Sequence, residues 1–143
     1  MTKTAFSYIS GFARGITEAI SDQAFRNPSS MTARALRKDH LTEDLAEELG
    51  VREEEIKMVR AEEDLSEYLG RLGWSREHAW NLDRRLGFVI GKPKELWLLE
   101  DDGDILDKYS GYNNGGAPFY FAEEVFVVVY KEVALMYIIG NDE

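Results

Sequence analysis

The stretch Val125-Phe126-Val127-Val128-Val129-Tyr130, followed after Lys131-Glu132 by Val133-Ala134-Leu135-Met136-Tyr137-Ile138-Ile139, decides the class of fold. β-branched and aromatic residues dominate both runs, as they do in strands buried or half-buried in a sheet. Each run falls far short of the ~20 apolar residues that a membrane helix needs, so both read as strands of a globular core. The Lys131-Glu132 link is the weakest point of this reading, because tight two-residue hairpins favour Asn, Asp and Gly. A helix or one continuous strand is the alternative there.

Upstream of these strands the period stays that of a sheet. Phe119-Tyr120-Phe121 comes after the strong turn signal Tyr112-Asn113-Asn114-Gly115-Gly116. Before it, Leu96-Trp97-Leu98-Leu99-Glu100 and Ile105-Leu106-Asp107-Lys108-Tyr109 flank Asp101-Asp102-Gly103-Asp104, which reads as a hairpin with an acidic loop. The expected result is an antiparallel sheet of four to five strands. If the last strand lies at the edge of that sheet, two copies can pair through it as a homodimer.

The first 90 residues carry a different period. Phe6, Ile9, Phe12 or Ala13, Ile16 and Ile20 recur at steps of three and four, the spacing of one apolar helix face, with Gly11 and Gly15 weakening the helix or admitting a close neighbour. Asn27-Pro28-Ser29-Ser30 is a turn that would cap a short second helix with Ala33 and Leu36 inward. A third helix spans 42–49 and stops at Gly50. A fourth is expected from about Glu53 to Gly73, with Ile56, Val59, Leu65, Leu69 and Leu72 inward and a break possible after Ala61. Trp74-Ser75 opens a last helix that closes near Gly87. The chain is therefore expected to be one α+β domain over 1–143, mainly helical over 1–90 and mainly β over 91–143.

Composition narrows the function classes. The 143 residues are 44% apolar and 31% charged, the balance of a soluble globular domain. With no cysteine there is no disulfide framework, thiolate nucleophile or cysteine-based zinc site, which suits a reducing cytoplasm. Ser7, Ser10, Gly11 and Arg14 interrupt what would otherwise be a secretory signal core. The net charge of −10 argues against coating nucleic acid and against docking on anionic membranes. That charge is banded: +3 over 1–40, −7 over 41–73, +2 over 74–95 and −8 over 96–143.

The segment Leu45-Ala46-Glu47-Glu48-Leu49-Gly50-Val51-Arg52-Glu53-Glu54-Glu55-Ile56, within 42–61, resembles the helix-turn-helix of DNA-binding regulators. Ala46, Gly50 and Ile56 stand where such motifs place a small residue, a corner glycine and a branched packing residue. The resemblance implies a regulator that meets DNA through Arg34, Arg37, Lys38, Arg52, Lys57 and Arg60. Against it, Glu53, Glu54 and Glu55 would face the phosphate backbone and repel it.

The same acids point the other way. Glu43, Asp44, Glu47, Glu48, Glu53, Glu54 and Glu55 against Arg52 give −6 over 13 residues. As a helix this is about one charge per 3 Å, the order of the ~1.7 Å spacing on duplex DNA. Asp101, Asp102, Asp104 and Asp107, with Glu123 and Glu124, form a second acidic group that would extend the surface. The profile is similar to small acidic inhibitors: phage anti-restriction and anti-CRISPR proteins, and immunity proteins of bacterial toxins. The corresponding expectation is a DNA-mimic-like inhibitor of a nucleic-acid-handling protein, contacting a basic surface through Glu43, Asp44, Glu47, Glu48, Glu54, Glu55, Asp101, Asp102 and Asp104. Tyr112 and Tyr120 would add aromatic anchors, as interface hot spots do.

Catalysis and metal binding lack a pattern. His40 and His78 lie in separate segments with no histidine or cysteine at i+3 or i+4, so a zinc site would need carboxylates, and the calcium-loop order of Asp, Gly and distant Glu is absent. No phosphate-cradling or nucleophile-elbow motif occurs, and Glu123-Glu124 on a strand would point to opposite faces. The sequence thus implies no catalytic residue, cofactor or metal.

Overall fold

The computed structural model describes residues 1–25, 29–101, 103–112 and 121–141. A five-stranded antiparallel sheet runs in the order β1-β5-β4-β3-β2, where β1 is Ser29–Leu36, β2 Met58–Ala61, β3 Glu95–Leu99, β4 Phe121–Val129 and β5 Ala134–Asn141. The two long apolar runs form its centre. β4 and β5 pair from Val129↔Ala134 outward, and Tyr130 N–H donates to Val133 C=O at 2.8 Å to close a four-residue turn around Lys131-Glu132. The link is thus a hairpin, wider than the two-residue turns that demand Asn or Gly.

Helices cover both faces of this sheet, giving three layers. On one face lie α1 (Lys3–Ala24), α3 (Leu65–Arg71) and α4 (Arg76–Ile90); on the other lie α2 (Leu41–Leu49) and α5 (Asp104–Tyr112). Along β4 and β5, Phe126, Val128, Leu135 and Tyr137 enter the first core while Val125, Val127, Met136 and Ile138 enter the second. Burial on both faces is why these strands read as unbroken apolar runs and not as alternations. Phe126 anchors the first core, stacked on Tyr137 at 4.8 Å between ring centres and edge-on to Tyr68 at 4.7 Å.

Several sequence expectations are corrected. Residues 29–36 form strand β1 in place of the second helix, because Met31, Ala33 and Ala35 alternate into the first core while even-numbered neighbours face away. The fourth helix is replaced by a 3-10 turn Glu53–Glu55, strand β2 and the short α3, whose cap is Asp64 with Glu67 at its third position. Ile56, Leu65 and Leu69 are buried as expected, whereas Val59 is 49% exposed on β2. The acidic hairpin after β3 is instead the start of α5, since the Asp101 carboxylate accepts both Ile105 N–H and Leu106 N–H at 3.1 Å. The sheet therefore draws its two outer strands from the first 90 residues, and the last 50 contribute a helix. Gly11 and Gly15 meet no neighbour within 4 Å, so they admit no close-packed element.

The last strand is not an edge. β5 is flanked by β1 and β4, which closes the route to a homodimer through it. The edges are β1 and β2, and α1 shields the first. Ser21 Oγ accepts Met31 N–H at 3.2 Å and lies 3.1 Å from Met31 C=O, while Ala35 N–H donates to Ser10 Oγ at 3.1 Å. Two helix serines thus occupy backbone groups that would otherwise invite another strand.

Candidate binding surface

α2 begins after β1 and a 3-10 turn Lys38–His40, with Glu43 and Asp44 in its first turn where the helix dipole favours acids. Gly50 ends it at φ 70°, a left-handed corner that returns the chain toward the sheet. Ala46 and Ile56 are buried in one cluster. Beyond the corner the chain enters the 3-10 turn and then β2, with no second helix. Arg52, Lys57 and Arg60 accordingly share no helix face.

The acids and bases that the sequence assigned to rival functions meet each other here. Arg37 holds Asp44 with Nε at 3.0 Å and Nη2 at 2.6 Å, and its backbone N–H adds a bond of 2.9 Å to the same carboxylate. That fork holds the Asp44 carboxyl below its usual range and raises the Arg37 guanidinium above its own. Arg34 pairs with Glu48, fixing β1 to α2. Glu43 lies 3.6 Å from Arg37 and 3.1 Å from His40 Nδ1. Glu53 accepts from Thr42 Oγ1 at 2.8 Å, and Glu55 accepts from Arg52 N–H at 2.9 Å. Arg60 lies 3.8 Å from Glu95 across the strand pair. Lys38 donates its ammonium to Lys131 C=O and Lys57 is exposed.

The surplus left outward is acidic. Glu47 and Glu54 are exposed and make no hydrogen bond or ion pair among the described residues. The two acidic groups, separated by some fifty residues, come together: Lys108 Nζ on α5 lies 3.9 Å from Glu55 Oε1. Between them is a shallow cleft of about 370 Å³ lined by Glu55, Lys57, Glu100, Asp101, Asp104 and Lys108. The described residues of 34–57 and 100–109 hold twelve acids and six bases. Pairing therefore trims the acidity of this layer without cancelling it.

Other expected members lie elsewhere. Glu124 is on the opposite side of the sheet, accepting the Tyr68 hydroxyl at 2.9 Å, and Glu123 accepts from Asn141. Burial and that neighbouring carboxylate push the Tyr68 hydroxyl far above its ordinary value. Asp101 is spent as the start of α5. Tyr109 is buried in the second core. Asp102, Tyr120, the turn at 113–116 and the Tyr112 side chain lie outside the described residues. His78 sits on the first turn of α4 with Nδ1 2.9 Å from its cap, Ser75 Oγ. Among the described residues, no group of three or more His, Cys, Asp or Glu side chains is placed to hold a metal ion. No described helix is long and apolar enough to cross a membrane.

Sequence reasoning missed the outer face of α4. Trp80 is 56% and Phe88 80% exposed, and Arg84 lies between them with its guanidinium carbon 4.7 Å and 5.9 Å from the two ring centres. The i, i+4, i+8 spacing of these residues was the available signal. Compared with protein-family models, with curated proteins and with solved structures, the chain has no match.

Proposed function

We propose that this protein works by binding: its α2–α5 layer engages the basic surface of a nucleic-acid-handling protein and competes there with nucleic acid. The observation that supports this most is the union of two sequence-distant acidic groups in one layer, with Glu47 and Glu54 left outward after internal pairing. Such a surface steers a basic partner at long range, so association is fast and salt-sensitive. The binding inhibits, because the partner's cleft cannot hold both occupants. Anti-restriction, anti-CRISPR and toxin-immunity roles are forms of this one interaction, carried out in the cytoplasm without cofactor, metal or catalytic step.

DNA recognition by the chain itself is the weaker alternative on physical grounds. Arg34 and Arg37 are already occupied by Glu48 and Asp44.

The test reverses charge where no internal bond is broken. Glu47→Lys with Glu54→Lys should preserve folding, since both side chains are outward, and should abolish salt-sensitive capture of a basic partner from nuclease-treated lysate. Capture unchanged by that reversal would rule out this layer as the contact.

A further inference from the structure

The described arginines divide into two populations. Outside α4, Arg14, Arg34, Arg37, Arg52, Arg60 and Arg71 all lie within ion-pair distance of a carboxylate. On α4, Arg76, Arg84 and Arg85 make no ion pair among the described residues, and Arg85 Nε only donates to Asn81 Oδ1 at 3.0 Å. Lys92 and Lys94, just past the helix end, are likewise exposed without an acid partner among the described residues. Residues 76–94 thus carry five cations without an acid partner among the described residues, against the two acids Glu77 and Asp83.

Apolar exposure concentrates in the same layer. Of the six exposed large hydrophobic residues among those described, Met1, Tyr8, Trp80, Phe88 and Val89 belong to α4 or to α1 and its start; only Val59 does not. At the C-terminal end of α4 a groove of about 340 Å³ is lined by the apolar residues Met1, Ile9, Val89 and Ile90 and by three lysines, Lys92, Lys94 and Lys131, against one acid, Glu132. Aromatic and arginine side chains with an adjoining apolar recess are the composition of interface hot spots.

We propose that the outer face of α4 is a second docking surface, for an acidic protein segment that carries an apolar anchor. Charge complementarity identifies the occupant: carboxylates would meet Arg84, Arg85, Lys92 and Lys94, and the anchor would fill the groove. A second copy docking α4 against α4 would set these cations against one another. Single-stranded nucleic acid would need ring faces on which to stack bases, but Arg84 already lies over Trp80 and Phe88. A phosphate backbone would also leave the groove unfilled. A guanidinium held against two rings keeps its edge free for a bidentate carboxylate, with less rotamer freedom to lose.

This surface lies across the sheet from the acidic layer and shares no residue with it, so either can fail alone. The test uses the full chain and a labelled synthetic amphipathic peptide of glutamate and leucine. Its comparators are the same peptide with lysine for glutamate, an oligothymidylate, and phosphatidylcholine vesicles containing phosphatidylglycerol. The acidic peptide should bind, shift the emission of exposed Trp80 to shorter wavelength, and lose affinity about tenfold or more in Arg84→Glu and in Phe88→Ala. Glu47→Lys should leave that affinity unchanged. Failure of the acidic peptide to bind, equal affinity in the Arg84 and Phe88 variants, or binding confined to the oligothymidylate or the vesicles would each overturn the proposal.

Discussion

The two helical layers treat charge in opposite ways. Around α2 and α5, arginine is a structural residue: Arg34 on β1 and Arg37 just after it hold α2 through Glu48 and Asp44, and the surplus left outward is acidic. Around α1 and α4, residues 1–25 and 74–94 hold seven bases and four acids, and the α4 arginines stand unpaired beside exposed rings. The lesson is that net charge describes neither surface. A count of −10 hides one layer whose arginines are paired with acids and another whose α4 arginines have no acid partner among the described residues.

The comparison can be broken first at the cores beneath the layers. Phe126→Ala should cost about 3–5 kcal/mol, because it removes a ring stacked on Tyr137 and touching Tyr68. Leu45→Ala, under the acidic layer, should cost about 2–5 kcal/mol. Urea unfolding of both variants would check this. Folding that survives Phe126→Ala with little loss would mean that the first core is not the anchor described.

The next effect concerns the shielded edge. Ser21→Ala strips the buried partner from Met31 N–H and should cost about 1–3 kcal/mol. It should also expose part of β1 to pairing, so light scattering near the unfolding midpoint should rise with concentration. A variant as stable and as monodisperse as the parent would show that α1 does not guard the edge.

Smaller effects are electrostatic. The Arg37–Asp44 fork lowers the Asp44 carboxyl below its unfolded value, so its contribution is present above that value and is lost as pH falls through the folded one. A double-mutant cycle on the pair should therefore show coupling at neutral pH that vanishes in acid. Asp83 on α4 has the opposite sign: burial raises its carboxyl, with Asp64 adding to the effect. Its charged form is disfavoured in the fold, and stability is lost as pH rises through the raised value. Asp83→Asn should raise the thermal midpoint slightly at neutral pH, with the gain closing in acid. A gain that persists below the carboxylate range would refute this.

How legible the molecule was depends on whether one cause or two shaped each segment. The central hairpin and the start of α4 were readable because run composition, the Ser75 cap and helical spacing agreed, whereas α4 runs through the expected stop at Gly87 to Ile90 and ends at Gly91. β1 was not, since Ala33 and Leu36 fit a helix as well as Met31, Ala33 and Ala35 fit a strand, and pairing with β5 decided between them. α5 hid behind Asp101-Asp102-Gly103-Asp104, whose turn chemistry serves a helix start as readily as a hairpin. Of the candidate surface, the acids were visible but their partners were not. Arg34 and Glu48 stand fourteen residues apart and meet only because β1 and α2 pack together.

The most direct test of the central claim is displacement by DNA. A basic partner captured from nuclease-treated lysate should be released by added duplex DNA in a dose-dependent way, and the Glu47→Lys, Glu54→Lys variant should fail to recapture it. A partner that stays bound in excess duplex, or that binds protein and DNA together, would contradict competition for one basic surface.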